Sequence, residues 1–129
     1  MGGLEPSRLY RDGEGEIVKN FTRGTVLAGR SKQAATAWQK ISGLLAEPFP
    51  LKEGEALVIP SACPWIHTFF MTYPIDLVFI APDGTVVGIE RLKPWRLSKI
   101  YWKADRAIEL PAGTIERSQT NVGDRISFT

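Results

Sequence analysis

The period of apolar and polar positions changes several times along the 129 residues. In "EIVKNFTRGTVLAG", residues 16–29, short apolar pieces are broken by Gly24 and closed by Gly29, a pattern of strands. From Ser31 the spacing lengthens. Ala34, Trp38, Ile41 and Leu45 recur at intervals of three and four, with Ala37 and Leu44 beside them. This is one face of a helix from about 31 to 46, with Ser31 as its cap and Pro48 and Pro50 barring its continuation. Short apolar runs follow: "EALVIP", "WIHTFFM", "IDLVFI" and "TVVGIERL". The last two flank "APDG", whose Pro-Asp-Gly predicts a hairpin turn. "KIYWKADRAIELPAG" holds a further strand or two. "TIERSQT" predicts one or two helical turns capped by Thr114, and "VGDRISF" a turn and a last strand. The expected fold is α+β and predominantly β: a small, mostly antiparallel barrel or sandwich with one main helix (about 31–46). Residues 1–16, rich in glycine and charge, read as a flexible arm, and 17–129 as a single β-rich domain.

Composition narrows the function more than the fold. The hydrophobic share of 43% and charged share of 23% are those of an ordinary soluble globular chain. A net charge of +2 is too small for a dedicated nucleic-acid binder, so any basic patch must be argued locally. One cysteine cannot form an internal disulfide, so a reducing, cytoplasmic setting is the simpler expectation. No export signal is visible near the start, and no apolar run approaches the length of a span. No membrane partner is therefore expected.

The only cysteine and the only histidine, Cys63 and His67, lie in "SACPWIHTFFMTYPIDLVFI", followed by an acid at Asp76. A thiolate nucleophile needs a nearby base, and a turn could bring Cys63 and His67 together. On an extended strand they would stand roughly 13 Å apart. Two such ligands are too few for zinc, so no metal and no cofactor are assigned. The plainer reading is a buried thiol and a hydrogen-bonded histidine. Alternation places Asp76 opposite Ile75, Leu77 and Phe79, where a carboxylate is costly unless paired. It is either a general base or ligand contact, or a structural group that accepts backbone N–H groups from the Tyr73–Pro74 turn or pairs with an arginine. Glu109 repeats the situation, and the two acids could face one cavity. "ERLKPWRLSKIYWK", residues 90–103, interleaves five cations with Trp95, Tyr101 and Trp102. That pattern suits a single strand or another anion. The plainer alternative is a solvated loop with Trp95 folded back as a lid.

Together, "IHTFFMTYPIDLVFIAPDGTVV", "LKPWRLS" and "ELPAGTIERSQTNVGDRI" resemble the family of domains of unknown function numbered 192, over roughly residues 21 to 128. The chain is similar to the subgroup with a cysteine ahead of "IHTFFM", departing from it in the bulky Trp65. Many members of that family carry export signals. The resemblance implies a compact β-rich fold and brings no established chemistry.

The leading expectation is a binding module for an unidentified small molecule or peptide. Its pocket would draw on His67, Phe70, Asp76, Lys93, Trp95, Arg96 and Glu109. One alternative is a hydrolase-like enzyme using Cys63 or His67 with Asp76. The other is single-stranded nucleic-acid or anion binding through 90–103, with nucleic acid the less favoured partner. The chain is expected to be a monomer or weak homodimer.

Overall fold

The structure, a computed structural model, describes residues 15–33, 51–60, 66, 68 and 72–129. In chain order these carry β1 (Val18–Asn20), β2 (Thr25–Ala28), β3 (Arg30–Gln33), β4 (Glu55–Pro60), β5 (Ile75–Ile80), β6 (Val86–Leu92), β7 (Arg106–Pro111), the short helix α1 (Thr114–Ser118) and β8 (Ile126–Phe128). Two sheets result, one ordered β2-β1-β8 and the other β3-β4-β7-β5-β6. Every ladder is antiparallel except that between β3 and β4. Among the described residues the sheets stack as a sandwich and do not close into a barrel.

The inner core lies between the sheets. Val18, Leu27 and Ile126 from the small sheet meet Val78, Ile80, Ile108 and Leu110 from the large one. A second apolar layer covers the outer face of the large sheet, built on Ile59, Ile75, Leu77, Phe79 and Leu92. All six residues of β5 are therefore buried, which is why "IDLVFI" reads as a nearly unbroken apolar run. Residues of β5 alternate between the layers: Asp76 with Val78 and Ile80 inward, Ile75 with Leu77 and Phe79 outward.

The expected helix does not begin at Ser31. Residues 30–33 are extended and pair in parallel with β4, Ser31 opposite Ala56. The Ser31 hydroxyl donates to the Glu16 carbonyl, 2.9 Å away. Parallel neighbours need a long connection, and residues 34–54 intervene here. The rest of the expected helix, 34–46, lies outside the described residues, as does the arm up to residue 14. The later short helix does form, but Gly113 takes the cap position and Thr114 is its first residue. The Thr114 hydroxyl instead donates back to the Pro111 carbonyl at 2.7 Å.

Candidate functional site

Asp76 is 1% exposed and its carboxylate is fully engaged. Oδ2 accepts the N–H groups of Gly113 and Ile115, each at 2.9 Å. Oδ1 accepts from Arg91 Nε at 3.1 Å, across the β5–β6 ladder in which the two residues are direct partners. The sequence explains the arrangement. "ELPAG" ends β7 beside β5 and turns at Gly113, where φ is 101°, a conformation that favours glycine. The turn aims two free N–H groups at the neighbouring strand, and Asp76 supplies the acceptor. A carboxylate with three charge-assisted donors is held as a structural acceptor. Beside it opens a concavity of about 310 Å³, lined by Asp76, Ile89, Glu90, Arg91, Ile115 and Glu116.

Glu109 does not join Asp76. It pairs with Leu77 and Leu57 and so faces the outer layer, while Asp76 pairs with Leu110 and faces inward. The two buried acids occupy opposite faces of one sheet, and the common cavity expected for them does not form. Cys63, His67 and Phe70 lie outside the described residues. Ile66 and Thr68 belong to the outer side: Ile66 packs into the outer layer, and Thr68 is hydrogen-bonded to the segment after β6. Among the described residues, no three acids, cysteines or histidines gather as metal ligands would.

That segment, residues 93–103, is anchored at three points. Thr68 Oγ1 donates to the Lys93 carbonyl at 2.6 Å and accepts the Arg96 N–H at 2.9 Å. The Thr68 backbone adds bonds to Trp95 and Arg96. Ser98 accepts the Ile66 N–H at 2.9 Å through its hydroxyl and donates its own N–H to the Ile66 carbonyl at 2.8 Å. Further on, the Tyr101 ring stacks on Phe79 with centroids 4.3 Å apart. It lies so close to Gly88 that a methyl group there would fall 2.1 Å from the ring. Its hydroxyl donates to Glu90 Oε2 at 2.7 Å, and the Lys99 N–H reaches the same oxygen at 2.8 Å. Burial first, then the bond and charge of Glu90, push the Tyr101 phenol well above its ordinary range.

Tyr101, and not Trp95, is thus the aromatic side chain that folds back as a lid. Trp95 is 54% exposed, Leu97 56%, Ile100 49% and Trp102 79%. Lys93, Arg96, Lys99 and Lys103 are exposed among them. Sequence reasoning found the cations and tryptophans of this surface but missed its anchors. Thr68, Ser98 and Gly88 look like any other residues of their type until the segments they join are seen side by side.

A buried polar cluster at the other end also escaped the sequence. Asn20 Nδ2 donates to Thr120 Oγ1 at 3.1 Å and to Asp124 Oδ2 at 3.0 Å. The same carboxylate oxygen accepts from Arg23 Nε and from the Asn121 N–H. Burial alone would push the Asp124 carboxyl up. The bonds from Asn20, Asn121 and Arg23 outweigh it and hold the group below its ordinary value. The "NVGD" turn is therefore fastened to β1, which suits a structural role.

The DUF192 family model, described as uncharacterized ACR, matches residues 18–128. A UPF0127 protein of Thermococcus sibiricus is 33% identical over 115 residues, covering 87% of this chain and 74% of that one. A UPF0127 protein of Thermococcus kodakarensis is 31% identical over 116 residues, 88% and 73% respectively. A crystal structure of a protein of unknown function from Novosphingobium aromaticivorans superposes with a TM-score of 0.71 at 19% identity. It covers 87% of this chain and 82% of its own, a likeness that speaks to fold alone.

Proposed function

Taking as premise that the chain belongs to the DUF192 family, we propose that it is a binding module that holds an anionic ligand through residues 93–103. One observation carries this reading. Between Lys93 and Lys103 the chain has four cations and no acid, interspersed with exposed Trp95, Leu97, Ile100 and Trp102 on a backbone tied to Ile66 and Thr68 and, through Tyr101, to β5 and β6. Exposed large apolar side chains gathered in one segment mark interaction sites. Cations beside them supply attraction for an anion, and anchoring reduces the entropy lost on binding.

The pocket expected around His67 and Asp76 has less support. The concavity is of ligand size, but its central carboxylate already serves three donors. The same saturation weakens a hydrolase that would use Asp76 as base. The single cysteine supports a reducing, cytoplasmic setting, and the module is read as a monomer or weak homodimer.

Heparin serves as the test anion. The protein is expected to be retained on heparin–agarose at low salt and released as salt rises, with K99A/K103A eluting earlier. Passage of the unaltered protein straight through the column at low salt overturns the reading.

A further inference from the structure

We infer that the anion met by this surface is the face of an acidic lipid bilayer, with Leu97, Ile100 and Trp102 seated at the headgroup boundary and Arg96, Lys99 and Lys103 over the phosphates. The inference rests on the anion-binding reading above and narrows it to one partner.

The apolar half of the surface separates lipid from nucleic acid. A single strand offers flat bases, which stack on aromatic rings, and phosphates, which attract cations. It has little use for branched aliphatic side chains. Yet Leu97 and Ile100 are each about half exposed, in the same run as the tryptophans. A bilayer interface takes all of them: indole rings sit at the headgroup level and aliphatic groups enter the acyl boundary.

Charge complementarity points the same way and fixes an orientation. Residues 93–103 hold four cations and no acid, Arg91 being paired with Asp76. The remainder of the chain has 12 cations against 14 acids, a net charge of −2. An acidic leaflet attracts this segment, whereas the remainder brings no net positive charge, so this segment leads the approach. The cytoplasmic leaflet carries such a surface potential.

The geometry suits shallow insertion. The Ala104 N–H donates to the Tyr101 carbonyl at 3.0 Å, closing a turn with Trp102 and Lys103 between. Tyr101 is clamped against Phe79 and Glu90 on the sheet side. Trp102, 79% exposed, projects from that clamp. No membrane-crossing helix is needed for such a contact; the lack of a long apolar run bears on spanning, and a surface contact requires only a few residues.

Co-sedimentation with vesicles tests the inference. The full chain is mixed at low salt with vesicles of phosphatidylcholine alone, or of equal parts phosphatidylcholine and phosphatidylglycerol. An oligothymidylate is titrated in parallel. The expected result is sedimentation with the acidic vesicles only. Binding should weaken about fivefold for each of Lys99 and Lys103 changed to alanine, and several-fold in L97A/I100A. Exposure of all four side chains leaves the fold intact in these variants, which circular dichroism checks. Binding to acidic vesicles that L97A/I100A does not weaken overturns the seated contact in favour of charge alone. Binding to oligothymidylate without binding to vesicles overturns the lipid assignment and leaves the anion reading standing. Binding to neither, together with no heparin retention, removes both.

Discussion

Asp76 is the residue whose replacement best separates a structural from a ligand-binding part. D76N keeps the shape but withdraws the charge that three donors share. The expected loss is about 2–4 kcal/mol, since hydrogen bonds to a buried charged acceptor are among the stronger ones. Urea unfolding measures it. D76N should leave heparin retention of the folded protein unchanged. Among the buried carboxylates, an acid-side pH response is expected from Asp124. Its carboxyl is held below the ordinary value of 3.8 in the folded chain, so the unfolded chain binds the proton more readily. The stabilisation is fully present above that ordinary value and is lost as pH falls through the lower, folded value. Urea midpoints should therefore drop below about pH 4, and N20A, which removes a donor, should flatten the drop. The opposite sign holds for Tyr101. Its phenol is raised from 10.0, so its contribution is complete below that value and fades as pH rises above it. For Asp76 the kind of partner was legible in the sequence, backbone N–H groups or an arginine, but not which residues supply it. The sequence shows that Asp76 needs a partner, because a charge in an apolar strand must be paired. That its partners are Arg91 and a turn 37 residues away depends on strand order, which local pattern does not encode.

At the level of elements, the legible segments were those whose periodicity matched their burial. β5 and β6 follow from an apolar run, a Pro-Asp-Gly turn and a second run, and they form the hairpin expected. At β3 the local pattern points the wrong way, because Ser31 is a good cap and precedes an apolar helical repeat. A parallel ladder to β4 overrode that local preference. The joint between β6 and the 93–103 segment was invisible for a different reason: its key residue is a glycine whose importance is the space it leaves. G88A would place a methyl group against Tyr101, at 2.1 Å from one ring carbon and 2.4 Å from another. The ring would have to leave Phe79 and Glu90. The expected destabilisation is about 1–3 kcal/mol, typical of overpacking in a filled site. Much of it should vanish when G88A is measured in a Y101A background by urea unfolding, because the clash needs both partners.

For the molecule as a whole, the predominantly β class could be read from short strands and frequent turn residues, while the division into two sheets could not. Runs such as "VKN" and "ISF" are too short to declare partners, yet they form two-thirds of the small sheet. The middle strand, β1, lies between β2 and β8, with Val18 opposite Phe128. Asn20 and Asp124, 104 positions apart, fasten the same junction. A variant ending before Ile126 should lose native structure outright, seen as collapse of amide dispersion in a nitrogen–proton spectrum. A native-like spectrum would show that the large sheet stands without its cover. This long-range closure has a consequence for biosynthesis. A ribosome must deliver β8 before β1 gains its second neighbour. Until then Val78, Ile80, Ile108 and Leu110 have only a partial roof, and the nascent polypeptide carries a greasy slab into a crowded cell. Chaperone binding to the nascent chain, relieved once β8 emerges, is the expected outcome, checked by comparing chaperone capture on ribosomes stalled before and after residue 128 clears the exit tunnel.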